Sequence, residues 1–586
     1  MAYDLLTTSG INSFINSYIQ TEKSKRITPL KTRQTKYNNL SSAYSSLLSN
    51  IDKLKSSLSK LKLRDSSSIF KAKKAESSNS NFVAATAGSG ADEGTFTIRT
   101  NQLAKNDTLL SIDRSSSANS AITTPGTYTF TVKTGDGSGS FYLSKVSVTL
   151  EESDFSNGNI SYSVLADKIK NAIKDDKAII TSNSVSGYLA SSGSFKLNLG
   201  GTETEITYSE GTYDEVIDNI VTQLNNISGV QAEKITVNGN VQLKITAVNS
   251  SKYIQLKDDT GTILSQLGVS SNKEIAASSV ITASTFSPVV GSTQLSLTSK
   301  NTGYNYRIME ISDDTTNGLL NEFGLNLGPT RQAFVQNENG EDTAGFVHNE
   351  SSLNAKFLFN GIEVQRDSNT ISDLVSGVTL NLKSVFNTND PDVVISVGTD
   401  VSSIKSKIES FINSFNELYS YLRKNSSSSS SQRGVLFGDS TTSSLTNILS
   451  TSAYQSLSGF SNDVINSLSK LGITFDVNNG LSISDSSQLE SIILSRTNEV
   501  ENFFNDTNGF AETLYTKINF YSGASGYIQS AISRISSNLT QINDSVSKIE
   551  NQINKRAEVL RTQYQKLQTQ LAELLSSQNV FTNYLG

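Results

Sequence analysis

The feature that most constrains this chain is a pair of heptad seams at its opposite ends. Tyr37, Leu40, Tyr44, Leu47, Ile51, Leu54, Leu58 and Leu61 recur at alternating steps of three and four. That spacing lines one face of a helix with apolar side chains and suits it to pairing. Leu30 extends the seam one heptad upstream, and Pro29 suits the first turn of such a helix. A shorter apolar face precedes it at Ile11, Phe14, Ile15, Tyr18 and Ile19. Near the other end, Ile532, Ile535, Leu539, Ile542, Val546, Ile549 and Ile553 form a second seam. It continues through Ala557, Leu560, Tyr564, Leu567, Leu571 and Leu574 after two successive steps of four. Such a stutter unwinds a supercoil locally without ending the helix.

Two seams of this kind pair within one chain, join other chains, or serve as arms of an ordinary helical bundle, and periodicity leaves these open. The flanking positions carry Ser, Asn and Gln rather than organised Glu/Lys pairs. Because nucleation fixes several dihedrals for one hydrogen bond, such helices are marginal alone and gain order in company. Lys and Arg far outnumber acids between Lys23 and Lys74. No aromatic platform is interleaved with them, so a solvated basic face or an acidic partner is expected rather than a nucleic acid.

Between the ends the pattern changes. From about residue 80 to 398 the chain runs in short alternating stretches, such as "GTYTFTVK" (126–133), "GSFKLNLG" (193–200), "VQLKITAV" (241–248) and "QLSLTSK" (294–300). Two amphipathic helices interrupt them, one carrying Tyr162, Leu165, Ile169 and Ile173, the other Tyr213, Val216, Ile217, Ile220, Val221 and Leu224. At 586 residues the chain is too long for one core. The fold class expected is therefore multidomain α+β: terminal helices pairing as a coiled-coil-like leg, with β-rich domains inserted between them. "LKITAVNSSKYIQLKDDTGTILSQLGV" (243–269) also resembles "LSLTSKNTGYNYRIMEISDDTTNGLLNEFGL" (295–325), which reads as a faint duplication of strand, turn, strand and closing glycine.

Catalytic patterns fail one after another. His348 is the only histidine and lies in "GFVHNE", a setting for a surface or strand residue. "GDGSGS" (135–140) lacks the lysine and following helix of a phosphate loop. "DDTTNG" (313–318) places Asp313, Asn317 and Gly318 at calcium-loop offsets, but Thr315 replaces a ligand and Gly324 stands where a bidentate Glu is needed. With no cysteine there is neither a disulfide nor a thiolate metal site. No catalytic, cofactor-binding or metal residue is assigned, and the chain does not read as an enzyme. A net charge of −6 is mild for this length. No stretch approaches the roughly 18 apolar residues of a membrane span. The opening "MAYDLLTTSGINSFINSYIQ" lacks the basic and apolar regions of a conventional signal peptide.

One stretch sits at the seam between helical and β patterns. In "GTFTIRTNQLAK" (94–105), Thr95, Thr97 and Arg99 alternate with Phe96 and Ile98, which suits a half-buried edge strand. The strand and the following Gln102, Leu103 and Ala104 resemble the Gln-Leu-Ala signature of the flagellar filament cap proteins, the hook-associated protein 2 family. The same order of family-like segments runs through the C-terminal half. In "FNGIEVQRDSNTISDLVSGVTLNLK" (359–383), Asn360, Gly361, Asn369, Gly377, Val378, Thr379 and Leu380 fit the family pattern. "IESFINSFNELYSYL" (408–422) resembles the helix that re-enters the leg, and "GVLFGDS" (434–440) its turn at Gly438, Asp439 and Ser440. "LGITFDVNNGLSIS" (471–484) resembles a family hairpin, with Gly472 and Gly480 matching. "LRTQYQKLQTQLAELLSSQNVFTNYL" (560–585) resembles the closing helix.

The resemblance implies a structural cap at the distal tip of a bacterial flagellar filament that promotes flagellin folding and insertion. It implies a homo-oligomeric ring, a pentamer in the family, whose partners are flagellin, other hook-filament junction proteins and an export chaperone. Secretion by the flagellar system without a cleaved signal peptide follows from the same likeness. The domains expected are leg helices at 1–75, a β domain at 76–111 with 350–399, an outer α+β insertion at 112–349, and a C-terminal leg domain at 400–586 with a Ser-rich loop at 426–431. A surface adhesin with β modules on a helical stalk is the alternative; it would not require the ordered motif series. A glycan-processing enzyme would need a carboxylate pair in a cleft.

Overall fold

The computed structural model describes residues 7–315, 318–337, 342–428, 433–461 and 463–585. The α+β chain divides into two compact units, one formed by 1–74, 88–91 and 398–586, the other by 75–87 and 92–397. Positions 429–431 of the expected Ser-rich loop lie outside the described residues.

The first unit is helical. Helix Thr8–Arg26 starts where the Thr7 side chain accepts the Gly10 amide, and helix Thr28–Leu61 begins with Pro29 in its first turn. The unit returns through helices Val401–Ser426, Ser440–Tyr454, Ser486–Ser495, Thr497–Asn505 and Phe510–Ser522, and closes with the 59-residue helix Tyr527–Leu585. Leu47, Ile51, Leu54, Leu58 and Leu61 are all fully buried in one core with Ile404, Ile408, Phe411 and Phe415. Helix Val401–Ser426 runs antiparallel to Thr28–Leu61: the Tyr421 hydroxyl donates to the Ala43 carbonyl at 2.7 Å, and Ser57 meets Ser414 at 2.7 Å.

Over this stretch, then, the N-terminal seam is the centre of a bundle and not half of a two-stranded coil. The cause is the width of its apolar face, since Ala43 and Leu48 join the a/d stripe and leave room for more than one neighbour. Phenylalanines fill the gaps, with Phe411 edge-on to Phe510 at 5.4 Å and Phe503 edge-on to Phe504 at 4.9 Å.

Farther out, the two ends of the chain do meet. Gln34 bonds Asn543 at 2.6 Å, Arg26 bonds Gln552 at 2.7 Å, and Phe14 packs edge-on to Tyr564 at 5.2 Å. Numbers rise on one helix as they fall on the other, so this pair is antiparallel.

The second unit is a set of antiparallel sheets. Gly94–Gln102 is the third strand of five, in the order Lys73–Ser77, Val393–Thr399, Gly94–Gln102, Ala355–Phe359, Ile362–Arg366. The alternation predicted an edge, but the strand is central. Its polar face is covered by a loop: Arg99 donates to the carbonyls of Asp390 (2.7 Å) and Asn387 (2.6 Å) and to the Asp392 carboxylate (3.0 Å).

The remainder is one topology used twice, with the second copy nested inside the first. Hairpin Gly126–Gly135/Phe141–Leu150 leads to helix Tyr162–Asp175, hairpin Ile281–Phe286/Ser292–Thr302 and strand Ile308–Asp313, which returns to pair with Gly126–Gly135. Between that helix and the second hairpin, the order repeats. Hairpin Gly193–Leu199/Thr202–Tyr208 leads to helix Tyr213–Asn225, hairpin Val230–Val237/Asn240–Ala247 and strand Ile254–Thr260, which returns to Gly193–Leu199. Each copy ends in a short helix and a left-handed glycine, Gly268 (φ +65°) or Gly324 (φ +68°). Each also has an aspartate that accepts an amide of the closing turn: Asp258 from Leu264 at 3.2 Å, Asp313 from Leu320 at 3.0 Å.

The faint sequence repeat is the second half of these copies. Its two strands belong to different sheets in each case, so the segments are not hairpins. Each copy has its own core, Val132, Val146, Ile169 and Leu297 in the outer frame and Leu197, Ile206, Ile217 and Leu243 in the nested copy.

Candidate assembly surfaces

A chain that reads as an assembly protein acts through surfaces, and the two kinds of residue that the sequence singles out end up in different places. The seam residues lie on helices. Tyr44, Leu47, Ile51, Leu54, Leu58 and Leu61 are buried, and Tyr37 and Leu40 are half-buried. On the C-terminal helix, Ile535, Ile542, Ile553 and Ala557 are buried, while Ile532, Leu539, Val546, Ile549, Leu560, Tyr564 and Leu571 are half-buried. Ile11, Ile15 and Ala557 form a small core of their own, with Phe14, Tyr18, Ile19, Leu560 and Tyr564 around it.

Two residues read as seam are exposed among the described residues. Leu567 is 58% exposed and Leu574 is 65% exposed. The half-buried path runs instead through Tyr564, Gln568 and Leu571. A straight helix at 3.6 residues per turn drifts away from a strict seven-residue repeat, so the heptad spacing rotates off the contact line. The result is an apolar strip of Leu567, Leu574 and Leu575 on the last turns of the helix, with Val580 on another face, each more than half exposed.

Pairing makes protection graded. Amide hydrogen exchange is expected to be slowest near Ile11, Ile15, Ile553 and Ala557, and fastest beyond Leu571, where few described contacts hold the helix. Uniform protection from 553 to 585 would contradict this gradient.

The motif residues, by contrast, fasten backbone. Asn369 pairs its side-chain amide with both backbone groups of Ala104, accepting from N at 2.7 Å and donating to O at 2.9 Å. Gln102 donates to the carbonyls of Asn354 (2.6 Å) and Ser351 (3.3 Å). The Gln-Leu-Ala and Ser-Asn-Thr stretches, far apart in sequence, therefore hold each other. Asn360 and Gly361 both have positive φ (49° and 81°) in the two-residue turn joining Phe359 to Ile362, and the Asn360 side chain accepts the Thr97 amide at 2.8 Å. Gly377, also left-handed, turns Val375 back onto Val378, whose strand carries Thr379 and Leu380. Gly438 precedes Asp439, which caps helix Ser440–Tyr454 by accepting the Thr442 amide at 2.8 Å. The same Asp439 carboxylate accepts the Tyr44 hydroxyl, and burial together with that bond raises the phenol's pKa. Ser440 is the first residue of that helix.

Asn369→Ala leaves a buried N–H and C=O of Ala104 without their partner, each such loss costing about 1–3 kcal/mol. A fall of that size in the unfolding free energy from urea titration is expected, and an unchanged midpoint would show that the tie holds nothing.

Sequence reading missed several fastenings because nothing distinguishes them locally. Asn416 grips Leu481 as Asn369 grips Ala104, at 2.7 and 2.8 Å. Its carbonyl oxygen stands 2.2 Å from where a Cβ on Gly480 would lie, which explains the glycine there. Asp107, fully buried, takes both guanidinium nitrogens of Arg331 at 2.9 and 2.6 Å. In the "GDGSGS" turn, Asp136 accepts the amides of Ser138 (2.9 Å) and Ser140 (3.1 Å) and pairs with Lys273 at 2.6 Å. His348 is half-buried, and burial, with Lys105 second, lowers its pKa. Asn317 of the calcium-loop spacing lies outside the described residues, and Asp313 is occupied by backbone amides. Among the described residues no group of three or more His, Cys, Asp or Glu is placed to hold a metal, and no helix is long and apolar enough to cross a membrane.

Comparison with known proteins agrees with the motif series. The family model for the flagellar hook-associated protein 2 N-terminus matches residues 9–107, and that for its C-terminus matches 352–576. The A-type flagellar hook-associated protein 2 of Pseudomonas aeruginosa is 24% identical over 324 residues, covering 53% of this chain and 66% of that protein. The polar flagellar hook-associated protein 2 of Vibrio parahaemolyticus is 29% identical over 193 residues, covering 32% and 28%. The chain thus spans slightly less than two thirds of the first relative and under a third of the second. Among solved structures, the flagellar cap protein FliD of Escherichia coli is similar at 18% identity and a TM-score of 0.42, covering 84% of this chain and 99% of that one. Since the two matched segments together span more than half of its length, the chain belongs to the flagellar hook-associated protein 2 family.

Proposed function

We propose that this chain is a structural cap at the distal tip of a bacterial flagellar filament, where it promotes the folding and insertion of flagellin. The observation that carries the reading is the paired ends: helices Thr8–Arg26 and Tyr527–Leu585 form an antiparallel arm whose last turns expose Leu567, Leu574 and Leu575. An apolar strip on an extended helix is what docking into a helical filament end requires. Copies assemble as a ring, a pentamer by family expectation, through the β segment 76–111 with 350–399. Strand Ile362–Arg366 favours that assignment, being an outer strand of its sheet with Ile362 69% exposed. The partners proposed are flagellin, other hook-filament junction proteins and an export chaperone, with flagellar export that needs no cleaved signal. The chain works without catalysis.

Deletion of the gene in its host is expected to abolish filaments and release flagellin as monomer; normal filaments would overturn the reading. Native mass spectrometry of the full chain at high concentration is expected to show a closed oligomer. Leu567→Asp refines the test. Because Leu567 is exposed in the free chain, the substitution is expected to shift monomer stability by no more than about 0.5 kcal/mol while stopping filament growth. Growth at the normal rate would mean that this face docks nowhere.

A further inference from the structure

Strand Ile281–Phe286 lies at the edge of its sheet and pairs on one side only, with Ser292–Thr302. That neighbour fixes which way its backbone points. Leu295 donates to the Ser111 hydroxyl at 2.9 Å and accepts the Ser111 amide at 2.9 Å, so it faces strand Asn106–Leu110. Alternation then turns Ser296 toward its pair Ser284, and leaves the N–H and C=O of Ala283 and Thr285 pointing outward. Among the described residues these four groups have no hydrogen-bond partner.

Such edges are ordinarily guarded against pairing by charge, proline or a bulge. Other outer strands of the second unit carry Glu363 and Arg366, Glu203 and Glu205, or Glu233 and Lys234. On the uncharged outer strand Val83–Ala87, the Val83 amide and carbonyl are taken by Asn79 and Ser77. "ITASTF" (281–286) has no charge, no proline and no register shift. The turn that follows is apolar: Val289 is exposed and Val290 wholly so. It is nonetheless well fastened. The Ser292 amide and hydroxyl both donate to the Val289 carbonyl, at 3.0 and 2.8 Å, and Gly291 accepts the Ser116 amide at 2.8 Å. An ordered turn that holds two valines in water beside an open strand edge marks a contact surface.

We propose that strand Ile281–Phe286 and the Val289–Val290 turn receive an extended segment of flagellin before it folds, as an added strand of this sheet.

The choice of occupant rests on the cap reading above and on the size and chemistry of the edge. Six strand residues and one turn fall short of the roughly 800 Å² per partner that a stable pairing of two folded proteins buries. Strand addition draws its affinity from main-chain bonds, and the exposed Thr282 and Ser284 offer no charge with which to select one sequence. An unfolded chain has free backbone groups along its length and apolar side chains still to bury, which the two valines can hold. A contact this small lets the segment go once it pairs within its own fold.

Short overlapping peptides covering the host's flagellin, mixed with the full chain, provide the test, with hydrogen exchange followed across 281–292. Some peptides are expected to bind and to slow exchange at Ala283 and Thr285. Ala283→Pro removes an outward donor without touching the ladder, and is expected to weaken binding about tenfold. Ser284→Lys guards the same edge with a charge and leaves the backbone as it is, and is expected to weaken binding too. No protection of 281–286 by any peptide overturns the proposal, as does affinity unchanged in both variants. Protection that appears on concentrating the chain alone overturns it as well, by giving the edge to a second copy. Binding is read on the purified chain and filament growth in the host, so the two readings fail separately: filaments that depend on the gene while no peptide binds would sink the edge and leave the cap.

Discussion

Arg331→Met is expected to destabilise the β-rich unit by about 3–5 kcal/mol, among the largest single losses available in this molecule. The reason is the carboxylate left behind. Asp107 is fully buried, and Arg331 supplies two of its contacts, at 2.9 and 2.6 Å. The Ile308 amide supplies a third at 3.0 Å and cannot neutralise a charge. Arg331 also stacks over Phe346 at 3.8 Å and donates to the His348 carbonyl at 2.9 Å, so its loss strips packing as well. Urea denaturation followed by circular dichroism reads the loss. The double variant Asp107→Leu with Arg331→Met removes both charges and is expected to recover most of it, because a buried pair and an apolar pair of similar volume are near equal in stability. If the double variant is as unstable as the single, the loss comes from packing and not from an orphaned charge.

Phe411→Ala is the second, and its effect falls in the helical unit. Phe411 is fully buried among Leu54, Leu58, Phe415 and Phe510, and a Phe-to-Ala change in such a core costs about 3–5 kcal/mol through lost transfer energy and a residual cavity. Since the N-terminal helix Thr28–Leu61 packs against this residue's own helix, the two helices are expected to lose protection together. Hydrogen exchange at 47–61 and at 401–426 would show it. Loss confined to 401–426 would mean that the N-terminal helix is held by other neighbours.

The parts of this fold that were legible in the sequence are those governed by local rules. The Asn360–Gly361 dipeptide, singled out only for its family likeness, carries a local turn signal as well, since both residues of such a turn take positive φ, and they do. The leucines from 47 to 61 announced a buried face because their period matches a helix. What the period could not supply was the neighbour. Leu54 reads the same whether it meets the C-terminal helix or Val401–Ser426, and it ends in one core with residues of both, Phe411 and Phe415 from the latter and Ile528 and Ile535 from the former. Leu567 shows the opposite error: it keeps heptad spacing but has rotated off the contact line, to be 58% exposed. The nested duplication was visible only as a faint likeness of 243–269 to 295–325. Pairing of the last strand with the first hairpin is a long-range choice that no window of sequence records. The same holds for Asn369 and Ala104, whose mutual bonds span 265 residues.

Docking requires the C-terminal helix to reach a partner outside the chain, and one complementation measurement addresses that directly. A host lacking the gene is supplied with either the full chain or a chain ending at residue 566, which keeps the buried Ile553 and Ala557 but lacks the exposed Leu567, Leu574 and Leu575. Released monomeric flagellin and filament length are then measured. The full chain is expected to restore filaments, whereas the shortened chain, folded and secreted, is expected to leave flagellin in the medium. Filaments of normal length from the shortened chain would contradict the account, because the strip it assigns to docking would then do nothing.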